Sequence, residues 1–152
     1  MLRVTVAAVG RARGRAEAEL FAAYVKRLPW PLTLKEIEER AGAPAERCRR
    51  EGERLLAALP GDALVVALDP GGRMLDSPGF AAALQGWQDS GRRDLGFVIG
   101  GADGLDPAVL ARADARLSLG PMTWPHMLAR VMLAEQLFRA ASILAGHPYH
   151  RE

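Results

Sequence analysis

Hydrophobic positions along the chain alternate between the period of a strand and the period of a helix. Apolar runs typical of strands occupy Leu2–Val9, Leu32–Ile37, Ala63–Leu68, Leu95–Ile99 and Ala115–Leu119. Helical spacing predicts helices over Arg15–Leu28, Pro44–Leu59, Ser77–Gln88, Asp106–Ala113 and Pro125–Ala145. Strands that alternate with helices are typical of an α/β domain, so we expect a mostly parallel sheet flanked by helices.

Proline, glycine and short polar residues predict where several of these elements end. Pro44 and Pro78 stand at first-turn positions of their helices, and Ser77 is the expected N-cap before Pro78. Gly146 is expected to end the longest helix. The segment Asp69-Pro70-Gly71-Gly72 is expected to form a loop after the third strand.

Length and composition limit the class of protein. With 152 residues, 49% hydrophobic and 25% charged, the chain is expected to form one domain over residues 1–152. Cys48 is the only cysteine, which excludes an intramolecular disulfide and a cysteine-based structural zinc site. The first residues lack the pattern of a secretory signal, and no apolar run is long enough to span a bilayer. We therefore expect a cytoplasmic protein without membrane attachment.

Positive charge is concentrated in the first part of the chain, although the formal net charge is only +2. Residues 1–61 carry 12 Lys and Arg against 8 Asp and Glu, and residues 62–152 carry 8 against 10. Arginine supplies nearly all of the positive charge, and its planar fork suits contacts with phosphate. On charge alone, however, a solvated surface is favoured over nucleic-acid binding.

Three loops are expected at the carboxyl edge of the sheet, where α/β domains bind their ligands. They are Asp69–Asp76, Gly100–Asp106 and Gly120–Pro125. The second has glycines at 100, 101 and 104, which allow a ligand to approach the backbone. Its spacing is neither that of a P-loop nor that of a dinucleotide-binding fingerprint, so a plain tight turn is an equally good interpretation.

The segment Leu119–His126 places a glycine, a methionine, a threonine, a tryptophan and two prolines between the last strand and the longest helix. Pro121 and Pro125 stiffen it, so its backbone groups are suited to holding an adenine edge. A hydrophobic hinge that only packs Trp124 is the alternative. We favour the ligand site.

Three ionisable side chains on the longest helix are candidates for chemistry. At about 100° per residue, His126 and Arg130 lie close to one face, whereas Glu135 lies nearly opposite His126. His126 and Glu135 therefore cannot line one pocket of a monomer. For Glu135, a solvated or helix-paired carboxylate and a role in the active site or an interface both stay open.

The last six residues, His147-Pro148-Tyr149-His150-Arg151-Glu152, contain two of the three histidines, a tyrosine and an arginine. Two imidazoles three residues apart, with no cysteine and no evident carboxylate partner, make a poor metal site, so no metal is expected. Contact with RNA fits better, because arginine binds phosphate while tyrosine and histidine stack on an unpaired base. An inert tail is the alternative.

Five segments spread over nearly the whole chain resemble the motifs of SPOUT (α/β-knot) methyltransferases, and within them a family that modifies ribosomal RNA. The segments are Val6–Gly10, Leu68–Gly72, Ile99–Leu105, Met122–His126 and His147–Glu152. Each motif alone is weak, but their order and spacing together are highly specific. The resemblance implies a C-terminal trefoil knot and a homodimer whose active site takes residues from both subunits.

The activity implied by the resemblance is transfer of a methyl group from S-adenosylmethionine to N3 of a pseudouridine. The implied target lies in the intersubunit stem-loop of 23S ribosomal RNA, in assembled ribosomes. By position, the residues expected to hold the donor are Leu68, Gly100, Gly101, Leu119, Gly120, Pro121, Met122, Thr123 and Trp124. Two positions depart from the family pattern: Ala102 replaces a frequent proline, and Pro121 removes one backbone N–H.

N3 of a uracil ring carries a proton between two carbonyl groups, so it becomes a good nucleophile only when that proton leaves. We expect His126, Glu135 and Arg151 to be catalytic. His126 or Glu135 is expected near the target, and Arg151 is expected to stabilise the imide anion or a phosphate. The residues expected to contact the substrate RNA are Arg130, Tyr149 and His150, the last two by holding the flipped base.

Two other classes of function stay open from the sequence. A ribosome-binding module without catalysis would bind ribosomes but not the methyl donor. An enzyme that binds another nucleotide in the same loops would show no dependence on ribosomes, and the chemically equipped tail argues against it.

Overall fold

The computed structural model describes residues 1–151, with the side chains of residues 1–149. The roles predicted for the side chains of His150 and Arg151 lie outside the described residues, as does Glu152. The strands are β1 (Arg3–Val9), β2 (Leu32–Ile37), β3 (Leu64–Met74), β4 (Asp94–Ile99) and β5 (Ala115–Ser118). The helices are α1 (Ala16–Arg27), α2 (Pro44–Ala57), α3 (Ser77–Asp89), α4 (Pro107–Arg112) and α5 (His126–Ala145), followed by a short 3-10 helix at Pro148–Arg151.

The five strands form one parallel sheet in the order β2-β1-β4-β3-β5. Helices cover both faces of this sheet. Side chains of α3 and α5, such as Leu84 and Leu137, pack with Phe97 on one face. Side chains of α2 and α4, such as Leu55 and Val109, pack on the other face. The predicted α/β class and mostly parallel sheet are confirmed, while the trefoil knot stays a prediction.

The predicted loop at Asp69–Gly72 is wrong, because the structure contains these residues within β3 as an irregular bulge. Leu117 of β5 pairs first with Leu68 and then with Arg73, so the residues between them are extra in the register. Gly72 is required there, since a Cβ on it would lie 2.8 Å from the backbone carbonyl carbon of Arg116.

The N-cap of α3 is also corrected by the structure. Asp76, not Ser77, accepts the hydrogen bond from the backbone N–H of Gly79, at 2.8 Å. The Ser77 hydroxyl instead donates to Oε1 of Gln136 on α5, at 2.6 Å. Gly146 ends α5 in the left-handed conformation, as predicted. Among the described residues, none of the helices combines the length and apolarity that crossing a membrane requires.

Candidate functional site

The bulged part of β3 and the carboxyl ends of β4 and β5 meet around a cleft of about 220 Å³. Eight of the nine residues predicted to hold a ligand line it: Leu68, Gly100, Gly101, Leu119, Gly120, Met122, Thr123 and Trp124. Pro121 belongs to the same loop but is not one of the lining residues. Parallel strands expose free backbone ends at this edge, which explains why three segments distant in sequence meet there.

The glycine-rich loop after β4 is folded back on itself. Gly101 and Gly104 form an antiparallel bridge, and the backbone N–H of Gly104 donates to the carbonyl of Gly101 at 3.1 Å. A Cβ on Gly100 would lie 2.6 Å from the carbonyl oxygen of Gly104, and one on Gly101 would lie 2.9 Å from Cγ1 of Val9. Both glycines therefore allow the loop to pack closely against its own backbone and against β1, which a side chain at either position would prevent.

The segment after β5 forms the opposite wall of the cleft. Gly120 has a φ of 104°, and its backbone N–H donates to Oγ of Ser118 at 3.0 Å. The indole N–H of Trp124 donates to the carbonyl of Leu119 at 3.2 Å, which closes the segment into a compact turn. Trp124 is 42% exposed and Met122 is 71% exposed. A hinge that served to bury Trp124 would hide its ring, so this exposure favours a binding surface.

His126 lies between the cleft and the end of β1. It lines the cleft, and a Cβ on Gly10 would lie 3.3 Å from its Nε2 atom. Burial lowers the pKa of His126 below its ordinary value, and the charges of Arg130 and Arg15 lower it further. At neutral pH the imidazole is therefore uncharged and able to accept a proton.

Arg130 does not occupy the position that contact with RNA requires, so that prediction is wrong. Its side chain is only 2% exposed. Its Nη1 atom donates to Oε2 of Glu36 at 2.6 Å, and its Nη2 atom donates to the carbonyls of Val9 and Gly10 at 3.2 and 2.9 Å. Arg130 thus ties α5 to the carboxyl ends of β1 and β2, beneath the surface.

Glu135 and Tyr149 lie on the other side of α5, away from the cleft. Glu135 lines a separate groove of about 650 Å³. The phenol of Tyr149 donates to Oε1 of Glu135 at 3.2 Å, and Nε of Arg139 donates to the same oxygen at 2.8 Å. As the helical phase predicts, Glu135 and His126 do not line the same cavity.

Aromatic contacts hold the start of the tail against α5. The rings of Tyr149 and Phe138 meet edge to face at 4.6 Å, and the guanidinium of Arg27 lies 4.2 Å above the Phe138 ring. Burial, a hydrogen bond with Tyr24 and the charge of Glu135 raise the pKa of Tyr149 to about 12. Tyr149 is therefore an anchored, protonated phenol.

A metal centre has no support in the described part of the chain, where no three His, Cys, Asp or Glu side chains are grouped closely enough to bind one ion.

Comparison with known proteins places this chain in a family. Residues 2–150 match the family model described as "Predicted SPOUT methyltransferase". The chain belongs to the SPOUT methyltransferase family. It is 56% identical over 151 residues to a protein of Rhodospirillum centenum named ribosomal RNA large subunit methyltransferase H, covering 99% of each chain. It is 58% identical over 144 residues to a protein of the same name from Gluconacetobacter diazotrophicus, covering 95% of this chain and 94% of the relative.

A solved structure supports the fold of this SPOUT methyltransferase. The chain resembles a "probable methylase family protein" of Haemophilus influenzae with a TM-score of 0.59. The match covers 98% of this chain and 71% of the other, at 11% sequence identity. At that identity the likeness concerns the fold alone.

One set of residues behind the cleft of this SPOUT methyltransferase was not predicted from the sequence. On α2, Arg47 pairs with Asp103 at 3.0 Å, and Cys48 contacts the carbonyl of Gly104 through Sγ at 3.6 Å. Glu51 is 7% exposed, and a Cβ on Gly101 would lie 4.0 Å from its Oε2 atom. Burial raises the pKa of Glu51, although the charge of Arg47 acts in the opposite direction. One face of α2 therefore supports the glycine-rich loop from behind.

The sequence contains one indication of this contact, namely that positions 47, 48 and 51 have helical spacing and therefore fall on one face of α2. That spacing does not identify the loop that the face contacts. Only the tertiary structure supplies the partner.

Proposed function

We propose that this SPOUT methyltransferase methylates ribosomal RNA of the large subunit with S-adenosylmethionine as the methyl donor. The observation that carries the proposal is the cleft at the carboxyl edge, where the predicted donor-binding segments meet beside His126. Its relatives with more than half of their residues identical are named as ribosomal RNA large subunit methyltransferases. A target on the ribosome would place the enzyme in the cytoplasm.

The lining of the cleft suits the proposed donor. Gly100 and Gly101 leave space for close approach to the backbone, and the side chains of Leu68, Ile99 and Leu117 provide apolar surface for a flat base. When bound, the donor supplies a methyl group activated by a positively charged sulfur. Since Pro121 has no backbone N–H, the hydrogen bonds of its loop would come from neighbouring residues.

We propose that the acceptor is N3 of a pseudouridine in the intersubunit stem-loop of 23S ribosomal RNA, on assembled ribosomes. Because this nitrogen carries a proton, the site needs a group that accepts it. His126 is the best candidate, since it borders the cleft and its lowered pKa keeps it neutral at pH 7. Arg151 would then stabilise the charge that develops on the ring, and Tyr149 and His150 would hold the base.

Glu135 has a different role in this proposal from the catalytic one expected from the sequence. Its carboxylate is engaged by Arg139 and by Tyr149, and it does not line the cleft. We assign it the task of positioning Tyr149 and the residues that follow.

We also propose that the enzyme acts as a homodimer, in which each tail completes the cleft of the partner. The groove that contains Glu135 is largely apolar and shares Leu117, Leu119 and Gly120 with the cleft. Met74, at 68% exposure, lies in this groove. An exposed apolar surface next to an incomplete cleft is suited to burial against a second copy.

The direct test is transfer of a labelled methyl group from S-adenosylmethionine to ribosomes of a strain that lacks the gene. The expected result is one methyl group per large subunit, mapped by mass spectrometry to N3 of a pseudouridine in 23S RNA. Ribosome binding without affinity for the donor would instead indicate a non-catalytic module, and calorimetry with S-adenosylmethionine separates the two. Transfer to a free nucleotide without ribosomes would contradict the proposed substrate.

Removing residues 147–152 is expected to reduce methyl transfer at least roughly 100-fold while the affinity for the donor stays within about twofold. The reason is that the tail would serve the RNA target, whereas the donor contacts come from other segments. Single-turnover methylation and calorimetry measure the two effects. Arg151→Ala tests the same role without removing the Tyr149 anchor, and loss of donor binding in either variant would refute it.

A further inference from the structure

Three arginines stand close together between β1 and α1. The segment Gly10-Arg11-Ala12-Arg13-Gly14-Arg15, called the arginine loop below, has no acidic residue. Arg11, Arg13 and Arg15 are all exposed. The function proposed above assigns none of these side chains a contact with donor or RNA, although the charge of Arg15 helps to lower the pKa of His126.

The arginine loop lies at the same edge of the sheet as the cleft. It follows β1, which pairs in parallel with β4, so the loops after these two strands are neighbours. The close approach of Gly101 to Val9, and of Gly10 to His126, shows that the arginine loop begins directly beside the cleft. An RNA whose target base enters the cleft would therefore have its backbone within reach of this loop.

The backbone of the arginine loop is held from below. The buried Arg130 donates to the carbonyl of Gly10 at 2.9 Å, and Glu36 accepts from the backbone N–H of Ala12 at 2.9 Å. The N–H of Arg15 donates to the carbonyl of Ala12 at 3.2 Å, which closes a turn. A loop that is already ordered loses less conformational entropy when it binds a partner.

The guanidinium groups of the arginine loop keep most of their charge available. Glu38 is the only carboxylate within 4.0 Å of Arg11 and Arg13 among the described residues, at 3.8 and 4.0 Å. It also pairs with Arg40 at the shorter distance of 3.0 Å. Arg15 forms no ion pair within the described part of the chain. The adjacent cavity contains one more carboxylate besides Glu36, that of the partly buried Glu17 on α1. Surface pairs at such distances contribute little, so an incoming phosphate can replace them.

We propose that the arginine loop binds the phosphate backbone of the substrate RNA beside the methylated nucleotide. This proposal rests on the function proposed above. Arginine offers paired donors that match phosphate oxygens, and the remaining loop residues are small and leave the backbone accessible. The loop has no large apolar side chain with which to enter a lipid surface, and its place beside the cleft favours the RNA over an acidic protein.

The test compares two triple variants of the full chain with equal change in charge. The first replaces Arg11, Arg13 and Arg15 by glutamine, and the control replaces the distant Arg49, Arg92 and Arg93 by glutamine. The KM for ribosomes, kcat and the donor Kd are measured at several salt concentrations, and thermal unfolding verifies that both variants are folded. Ribosome binding is also measured directly by co-sedimentation, without donor.

The first variant is expected to raise the KM for ribosomes roughly 10- to 100-fold, with the donor Kd unchanged. At about pH 8 kcat should also be unchanged, because His126 is uncharged there with or without the charge of Arg15. The slope of log KM against log salt should fall by roughly 2 to 3, because each of the three lost phosphate contacts removes roughly 0.7–0.9 of the slope. The control variant should stay within about twofold of the unmodified enzyme. Replacement of the same three arginines by lysine should recover most of the salt dependence, since the charge is retained.

A first variant with the KM and salt slope of the control would overturn the proposal, and so would a fall in kcat at unchanged KM. Failure of the proposed function has a different signature, namely that the unmodified enzyme transfers no methyl group to ribosomes. Co-sedimentation still decides in that case, because equal ribosome binding by both variants overturns the arginine-loop proposal independently.

Discussion

Gly100→Ala is expected to weaken binding of S-adenosylmethionine by roughly 10- to 100-fold, as measured by calorimetry. The added Cβ would lie 2.6 Å from the carbonyl oxygen of Gly104 and 2.7 Å from its carbonyl carbon. Both are backbone atoms, so no side-chain rotation relieves the contact and the glycine-rich loop has to open. Displacing a packed loop costs about 1–3 kcal/mol, which accounts for the expected loss of affinity.

Gly86→Ala is the matched control for this change. Gly86 is exposed within α3, and a Cβ there would meet no heavy atom within 4 Å. Alanine should increase the free energy of unfolding by about 1 kcal/mol through its helix propensity and leave donor affinity unchanged. If Gly100→Ala bound the donor as well as Gly86→Ala does, the cleft next to Gly100 would not be the donor site.

Arg130→Ala is expected to lower the free energy of unfolding by about 3 kcal/mol, measured by urea denaturation. The change leaves the carboxylate of Glu36 without its 2.6 Å partner and removes the donor to the carbonyls of Val9 and Gly10. Breaking a buried ion pair by removing one partner usually costs roughly 3–5 kcal/mol. We expect the lower value because the side chain of Glu36 keeps some contact with solvent. Arg49→Ala, at an exposed pair, should cost about 0.5 kcal/mol or less.

The same ion pair predicts how stability depends on pH. Burial alone would raise the pKa of Glu36, but the hydrogen bonds from Arg130 and from the backbone of Ala12 outweigh it and hold the pKa below its ordinary 4.5. A carboxyl group with a lowered folded pKa stabilises the fold above 4.5 and loses this contribution as pH falls below that value. Glu36→Gln should therefore reduce the loss of stability in acid.

Equal unfolding energies for Arg130→Ala and Arg49→Ala would contradict the buried position of Arg130.

The elements of the fold were predictable because their periods are local properties of the chain. All five strands and the five α-helices follow from hydrophobic spacing, with ends set by proline, glycine and capping residues. The bulge in β3 was not predictable, since Asp69-Pro70-Gly71-Gly72 has the same composition as a loop. Pairing with β5, which lies more than 40 residues further along the chain, decides between the two.

The position of the candidate cleft was predictable from topology, because parallel strands of an α/β sheet present the loops that follow them at one edge. The role of Arg130 was not, since helical phase identifies a face of α5 but not what covers it. Its partner Glu36 lies 94 residues away. The arginine loop was not predicted for another reason. The net charge was counted over residues 1–61 as a whole, and that count does not show that three of the arginines lie together beside the cleft.

The most direct test of the central claim is a crystal structure of the protein grown with S-adenosylmethionine. We predict that the donor lies in the cleft, in contact with Leu68 and with the backbone of Gly100 and of Leu119–Trp124, and that His126 borders it. Donor bound in the groove beside Glu135, or absent from the cleft at millimolar concentration, would contradict the account.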